Sequence, residues 1–191
     1  HIIFASPNIP NPEVYLQLIP DVANRENYKI ATKFSPVNQE KFLIDFKCFE
    51  LHYYNEATQK LTKYCSFPED KGLLDFVHEL GESARSIVYS NSKDNVVEYA
   101  LQYATQLQPL HDSDLDVLAQ DIRQDVHGDY YLADIVEKGV AYHMGYLPST
   151  IRARIESLYK DGKIHTLFCT STLLEGVNLP ADNLFITSHK N

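Results

Sequence analysis

From Glu69 onward the chain alternates short apolar runs with amphipathic stripes, and this alternation restricts its fold more than any other feature. The runs Ser86 to Tyr89, Gly139 to His143, Ile164 to Cys169 and Leu184 to Thr187 are short enough to be buried strands. Between them lie stripes of helical period. Leu73, Leu74, Val77 and Leu80 form the first, with Gly81 placed as a C-cap. Ser92 caps a second, whose inner face is Val96, Val97, Ala100, Leu101, Ala104 and Leu107, and Pro109 marks its end. Leu115, Leu118, Ala119, Ile122 and Val126 make a third, and Leu132, Ile135 and Val136 a shorter one. Pro148 starts a helix with Ile151, Ile155, Leu158 and Tyr159 inward, stopped at Asp161-Gly162. Strands separated by helices require crossover connections, which predicts an α/β fold with a mainly parallel sheet flanked by helices. Ligands of such a sheet sit beyond the carboxyl ends of its strands.

The first third of the chain reads differently. Ile2 to Ala5 predicts a short strand ended by Ser6-Pro7-Asn8, and a helix follows Asn11-Pro12. Lys41 to Tyr54 is β-rich, Asn55-Glu56-Ala57-Thr58 is a turn, and Gln59 to Phe67 returns, so a β-hairpin or ribbon precedes the α/β part. The 44% of hydrophobic residues exclude a disordered chain. No apolar run approaches the roughly 18 residues of a membrane span, which predicts no membrane association. Cys48, Cys65 and Cys169 are far apart and form no CxxC pair, which argues against a zinc site and fits a reducing cytoplasm. His1 stands where a complete chain would begin with Met, so it reads as an internal cut. The net charge of −9 makes the chain a poor nucleic-acid binder by electrostatics alone.

Two apparent ion-binding patterns fail on inspection. Asp112, Asp114 and Asp116 have the spacing that opens an EF-hand loop, but Val117 stands where the turn needs glycine and Arg123 where the loop needs Glu. A helix N-terminus rich in acidic residues explains them better. Gly162-Lys163 looks like the end of a P-loop, yet Ile164 replaces the metal-binding hydroxyl and Ser157 stands where the first glycine belongs. No metal site is predicted.

The stretch Thr170 to Ala181, TSTLLEGVNLPA, is the most informative. Three hydroxyl residues follow a buried strand at a helix start, an arrangement that binds phosphate without a basic side chain. The same residues also suit a plain strand–cap–helix junction whose hydroxyls serve only the backbone. The longer run GVAYHMGYLPSTIRARIESLYKDGKIHTLFCTSTLLEGVNLPADNLFI, Gly139 to Ile186, resembles the second RecA-like lobe of superfamily two DEAD/DEAH-box helicases, most of all the Ski-type branch with its GVAxHHAGL and TSTLxxGVNLPA patterns. SIVYSNSKDNVVEYA, Ser86 to Ala100, resembles the strand and helix of motif IV, and Ser6-Pro7-Asn8 the Ser-Ala-Thr motif that ends the first lobe.

The resemblance implies three regions: 1–35 as the tail of the first RecA-like lobe, 36–68 as a β-hairpin linker, and 69–191 as the second lobe, cut before motif VI. It implies nucleic-acid contacts from Asn91, Ser92, Thr170, Ser171 and Thr172. Gly176 and Asn178 would face ATP, with Arg152 in support. The implied partners are RNA or DNA and the first lobe in cis. The implied cofactors are ATP and Mg²⁺, the metal being held by that other lobe, because neither a Walker A motif nor an Asp-Glu box occurs in this sequence. No catalytic residue is therefore assigned here. A DNA translocase of a defence or repair machine, and an inactive helicase-like scaffold, are the alternatives.

Overall fold

The computed structural model describes residues 39–81, 84–128, 130–173 and 179–187. The strand expected at Ile2–Ala5, the Ser6-Pro7-Asn8 motif and the helix after Asn11-Pro12 lie outside them, as do Gly176 and Asn178. The chain divides into two compact units, 1–66 and 67–191.

In the first unit, β1 (Lys41–Asp45), β2 (Glu50–Asn55) and β3 (Lys60–Ser66) form an antiparallel sheet in the order β1-β2-β3. The stretch from Lys41 to Tyr54 is thus two strands, and the expected β-hairpin or ribbon is a three-stranded meander. The first reversal went unpredicted because the loop Phe46-Lys47-Cys48-Phe49 has no Gly or Pro. Its carboxylate does the work instead. Asp45 Oδ1 accepts from the backbone N–H of Lys47 at 2.8 Å and of Cys48 at 3.2 Å, and these bonds hold its carboxyl below the usual range. Asn55 closes the next loop the same way, accepting from Thr58 N–H at 3.0 Å. Both loops end on a left-handed residue, Phe49 and Gln59, each at φ 54°.

The second unit holds the α/β fold. Its strands β4 (Ser86–Tyr89), β5 (Val140–His143), β6 (Thr166–Cys169) and β7 (Asn183–Ile186) form a four-stranded parallel sheet in the order β5-β6-β4-β7. Helices α1 (Leu73–Gly81), α2 (Lys93–Thr105), α3 (Ser113–Asp125), α4 (Tyr131–Val136) and α5 (Ser149–Lys160) flank it. β5 and β6 are buried along their whole length. At the edge strand β7 only Phe185 is buried, and Leu184 and Ile186 are exposed.

Helix phase departs from the sequence expectation in two places. In α1 the buried residues are Leu74, Phe76, Val77 and Gly81, while Leu80 is 54% exposed. Phe76 is drawn inward by an edge-on contact with Phe67 at 5.0 Å and by Lys71 Nζ 4.3 Å above its ring. Gly81 is not a left-handed cap but the last helical residue, and a Cβ there would sit 3.3 Å from Ser86 Oγ. Its smallness lets the helix end approach β4. In α2 the buried face is Val96, Ala100, Tyr103 and Ala104, leaving Val97, Leu101 and Leu107 half-buried. Tyr103 takes the inner position because its ring meets Phe168 of β6 at 5.8 Å between centroids.

The two failed ion-binding patterns end in one structural pair. Asp112 caps α3, its Oδ1 accepting from Asp114 N–H at 2.9 Å, and its other oxygen binds Lys163 Nζ. The Lys163 ammonium holds the Asp112 carboxyl below its usual range. Lys163 precedes β6, so Asp112 and Asp114 lie at the amino edge of the sheet.

Candidate functional site

Because all four strands run parallel, their carboxyl ends share one edge. Tyr89 pairs with Cys169 and Ile186, and His143 pairs with Cys169. The segments that follow (144–147, 170–173, 90–92 and Thr187) therefore emerge side by side, away from the acidic start of α3.

The middle of this edge is built from hydroxyls. Ser90 is buried, and its N–H donates to Cys169 O at 3.0 Å, joining the loop after β4 to the end of β6. Ser90 Oγ in turn accepts from Ser92 N–H at 3.3 Å. Ser92 caps α2, its Oγ accepting from Asn95 N–H at 3.3 Å, so the capping role read from the sequence is present. Asn91 between them is exposed.

On the neighbouring strand, Thr170 is 7% exposed and its Oγ1 lies 3.1 Å from Thr172 Oγ1. Ser171 to Leu173 form a single 3-10 turn in which Ser171 is exposed and Leu173 is buried. Since one hydroxyl of the threonine pair donates to the other, one donor hydrogen is left over; on Thr172, which is half-buried, it could serve a ligand.

On the other flank, β5 ends at His143, 1% exposed, whose Nε2 shares a 2.8 Å hydrogen bond with Glu156 Oε1 of α5. Arg152 stands one turn before Glu156, its N–H closing the first turn on Pro148 O at 3.0 Å. Among the described residues, His143 Nδ1 and Arg152 Nε are buried with no hydrogen-bond partner. Gly145 brings this flank against the threonines: a Cβ on it would lie 3.2 Å from Thr172 Cγ2.

The structure thus gathers Asn91, Ser92, Thr170, Ser171 and Thr172 at one edge, with Arg152 on the first turn of the adjoining helix. Ser90, Gly145 and Glu156 belong to the same construction and went unread. Ser90 had a signal, as the first hydroxyl of Ser90-Asn91-Ser92. Glu156 had none, because only the packing of α5 on β5 brings it to His143. Among the described residues no three His, Cys, Asp or Glu side chains gather to hold a metal ion, and no helix is long and apolar enough to cross a membrane.

Cys169 sits directly behind the threonines at 1% exposure, and burial pushes its thiol up to about 12. The raised value in the fold favours the neutral thiol. Its contribution to stability is thus complete below the ordinary thiol range near ~8.5 and is lost as pH rises toward the folded value. At pH 8 iodoacetamide should label the exposed Cys48 and Cys65 and spare Cys169 until urea is added, which intact-mass spectrometry reads directly.

No protein-family model matches the chain. It is 26% identical over 195 aligned positions, 97% of its length, to the ATP-dependent DNA helicase Hel308 of Methanococcus vannielii. Over 117 positions, 58% of its length, it is 30% identical to the Hel308 helicase of Methanocella arvoryzae. It is 26% identical over 112 positions, 53% of its length, to the exosome RNA helicase MTR4 of Mus musculus. The chain spans 25%, 16% and 11% of these relatives. A parallel α/β sheet with hydroxyl-rich loops at its carboxyl edge and this similarity together make the chain helicase-related.

Proposed function

We propose that this chain is part of an ATP-dependent nucleic-acid helicase of the Ski-type branch of superfamily two, contributing the second RecA-like lobe and the segment leading into it. In this reading residues 1–35 end the first lobe, 36–68 connect, and 69–191 form the second lobe. Asn91, Ser92, Thr170, Ser171 and Thr172 hold strand phosphates. Gly176 and Asn178 line one wall of the ATP site, and Arg152 supports it. The observation that carries this reading is the convergence of the Ser90–Ser92 and Thr170–Thr172 loops on one sheet edge, tied by the Ser90–Cys169 bond.

The net charge of −9 does not oppose it. Phosphate contact at this edge relies on hydroxyls and helix ends, which position a strand without bulk positive charge. The acidic start of α3 lies at the far edge, bound to Lys163. Arg152 Nε, buried without a partner among the described residues, fits a group that receives its acceptor from a neighbouring segment of the ATP wall. ATP and Mg²⁺ are the proposed cofactors, with the phosphates and metal held by the first lobe, because phosphoryl transfer needs a P-loop Lys and a metal-holding carboxylate in one site.

The test has two arms. The full-length protein should displace a strand from a tailed duplex in Mg-ATP. The 191-residue chain alone should release no phosphate, bind ATP only at about millimolar concentration, and bind single strands weakly and in a salt-sensitive way. Turnover by the isolated chain that vanishes on Asn178→Ala would reveal a complete site within it. ATP hydrolysis by the full-length protein without displacement would favour translocation.

A further inference from the structure

One exposed aromatic ring at the carboxyl edge has no part in the contacts described so far. Tyr146 is 54% exposed and follows Gly145, the residue packed against Thr172. Its backbone therefore adjoins the loop that carries both threonine hydroxyls. At its far end the phenol neighbours Tyr130, which also neighbours Tyr142, the buried tyrosine of β5. The Tyr130 and Tyr142 rings meet edge-on with centroids 6.4 Å apart. The residue is thus packed at both ends, at the tight Gly145 turn and beside Tyr130, while more than half of it faces solvent. A side chain already fixed loses little rotamer freedom when something stacks on it.

The surrounding charge decides what that something is. Burial first, and Tyr130 after it, keep the Tyr146 phenol neutral into the alkaline range, and the carboxylate of Asp94, in the first turn of α2, adds a smaller push in the same direction. A carboxylate beside the ring repels phosphate but is indifferent to the face of a base. Hydroxyls on one side and a neutral ring beside a carboxylate on the other sort the two halves of a nucleotide.

We propose that Tyr146 is a stacking platform for one base of a single-stranded nucleic acid whose phosphates follow the Thr170–Thr172 loop. This rests on the proposed reading of that edge as a strand track. Stacking accepts any base, so the preference is for a base over none, not for a sequence.

The experiment measures the affinity of the full-length protein for oligonucleotides carrying a single abasic site moved along the strand. One abasic position should cost the wild type about tenfold in Kd. Tyr146→Ala should lose about tenfold on the intact strand and no longer respond to that abasic position, and Tyr146→Phe should rescue both. Equal abasic sensitivity in wild type and Tyr146→Ala overturns the proposal. Thr172→Val separates it from the underlying reading, since loss of a phosphate contact weakens intact and abasic strands alike. If Thr172→Val changes nothing while the abasic response still depends on Tyr146, stacking stands and the phosphate assignment falls. Absence of any strand binding by the wild type overturns both.

Discussion

Gly139→Ala should destabilise the α/β unit by about 2–5 kcal/mol, the sum of a left-handed backbone penalty and an overpacking cost. Gly139 leads into β5 at φ +73°, where an added Cβ would stand 2.8 Å from Leu110 Cδ1, 2.9 Å from His165 Nδ1 and 3.2 Å from Lys163 O. The leucine tip and the imidazole can move aside; the carbonyl cannot. Nor can the glycine backbone relax. Its N–H donates to Val136 O at 3.0 Å, and its carbonyl accepts from His165 N–H at 2.8 Å and Thr166 N–H at 3.3 Å. These bonds hold the entrances of β5 and β6 together, so a shift at Gly139 would displace the two fully buried strands. Gly162 provides the control. It has φ +74° but nothing within 4 Å of an added Cβ, so Gly162→Ala should cost only the backbone penalty of about 1–2 kcal/mol. Urea unfolding of the two variants compares strain alone with strain plus crowding. Equal losses would mean that crowding at Gly139 is relieved without cost.

The same contrast between local pattern and remote packing explains what the sequence made legible. The four-stranded parallel sheet was predictable because each strand is a short apolar run set between stripes of helical period. Ser92 as a cap was predictable because N-capping is local, decided within three residues. The phase of α1 was not: Leu80 and Phe76 compete for the inner face, and Phe67 and Lys71, outside the helix, decide it. Gly81 misled for a related reason, since glycine both ends helices and permits close approach, and only the position of Ser86 tells the two apart. The meander's first reversal hid behind Phe46 and Phe49, though Asp45, at the end of β1, carried its signal. At the candidate site the hydroxyl residues could be found by their place after strands. The His143–Glu156 pair and the Gly145–Thr172 contact depend on how α5 and the β5 loop dock, which periodicity does not encode.

If the chain belongs to a nucleic-acid helicase as proposed, Thr172→Val should abolish most of the nucleic-acid stimulation of ATP hydrolysis in the full-length protein, and Thr170→Val should reduce it less. A hydrogen bond to a charged group contributes roughly 1.5–3 kcal/mol, about 10- to 150-fold in a binding or rate constant. The ranking follows from the pair's geometry. Thr170 is nearly buried and its hydroxyl meets only Thr172 at 3.1 Å among the described residues, whereas Thr172 is half-buried and nearer the surface. On the proposed reading Thr170 donates to Thr172, which leaves the Thr172 hydrogen for a phosphate oxygen. Valine at 172 removes the contact itself, whereas valine at 170 removes only its orientation and leaves Thr172 able to rotate. Both substitutions preserve the β-branched shape, so Cys169 and Leu173 beside them keep their packing and thermal unfolding should change little. Stimulation is measured as the ratio of phosphate release with and without single-stranded RNA and DNA, which also asks which of the two the protein prefers. Unchanged ratios in both variants would return the pair to a backbone-capping role. A larger loss from Thr170→Val than from Thr172→Val would reverse the direction of the bond and make Thr170 the contact. Ser171→Ala completes the set: its side chain is exposed, and its loss would show whether a third hydroxyl of the turn reaches the strand.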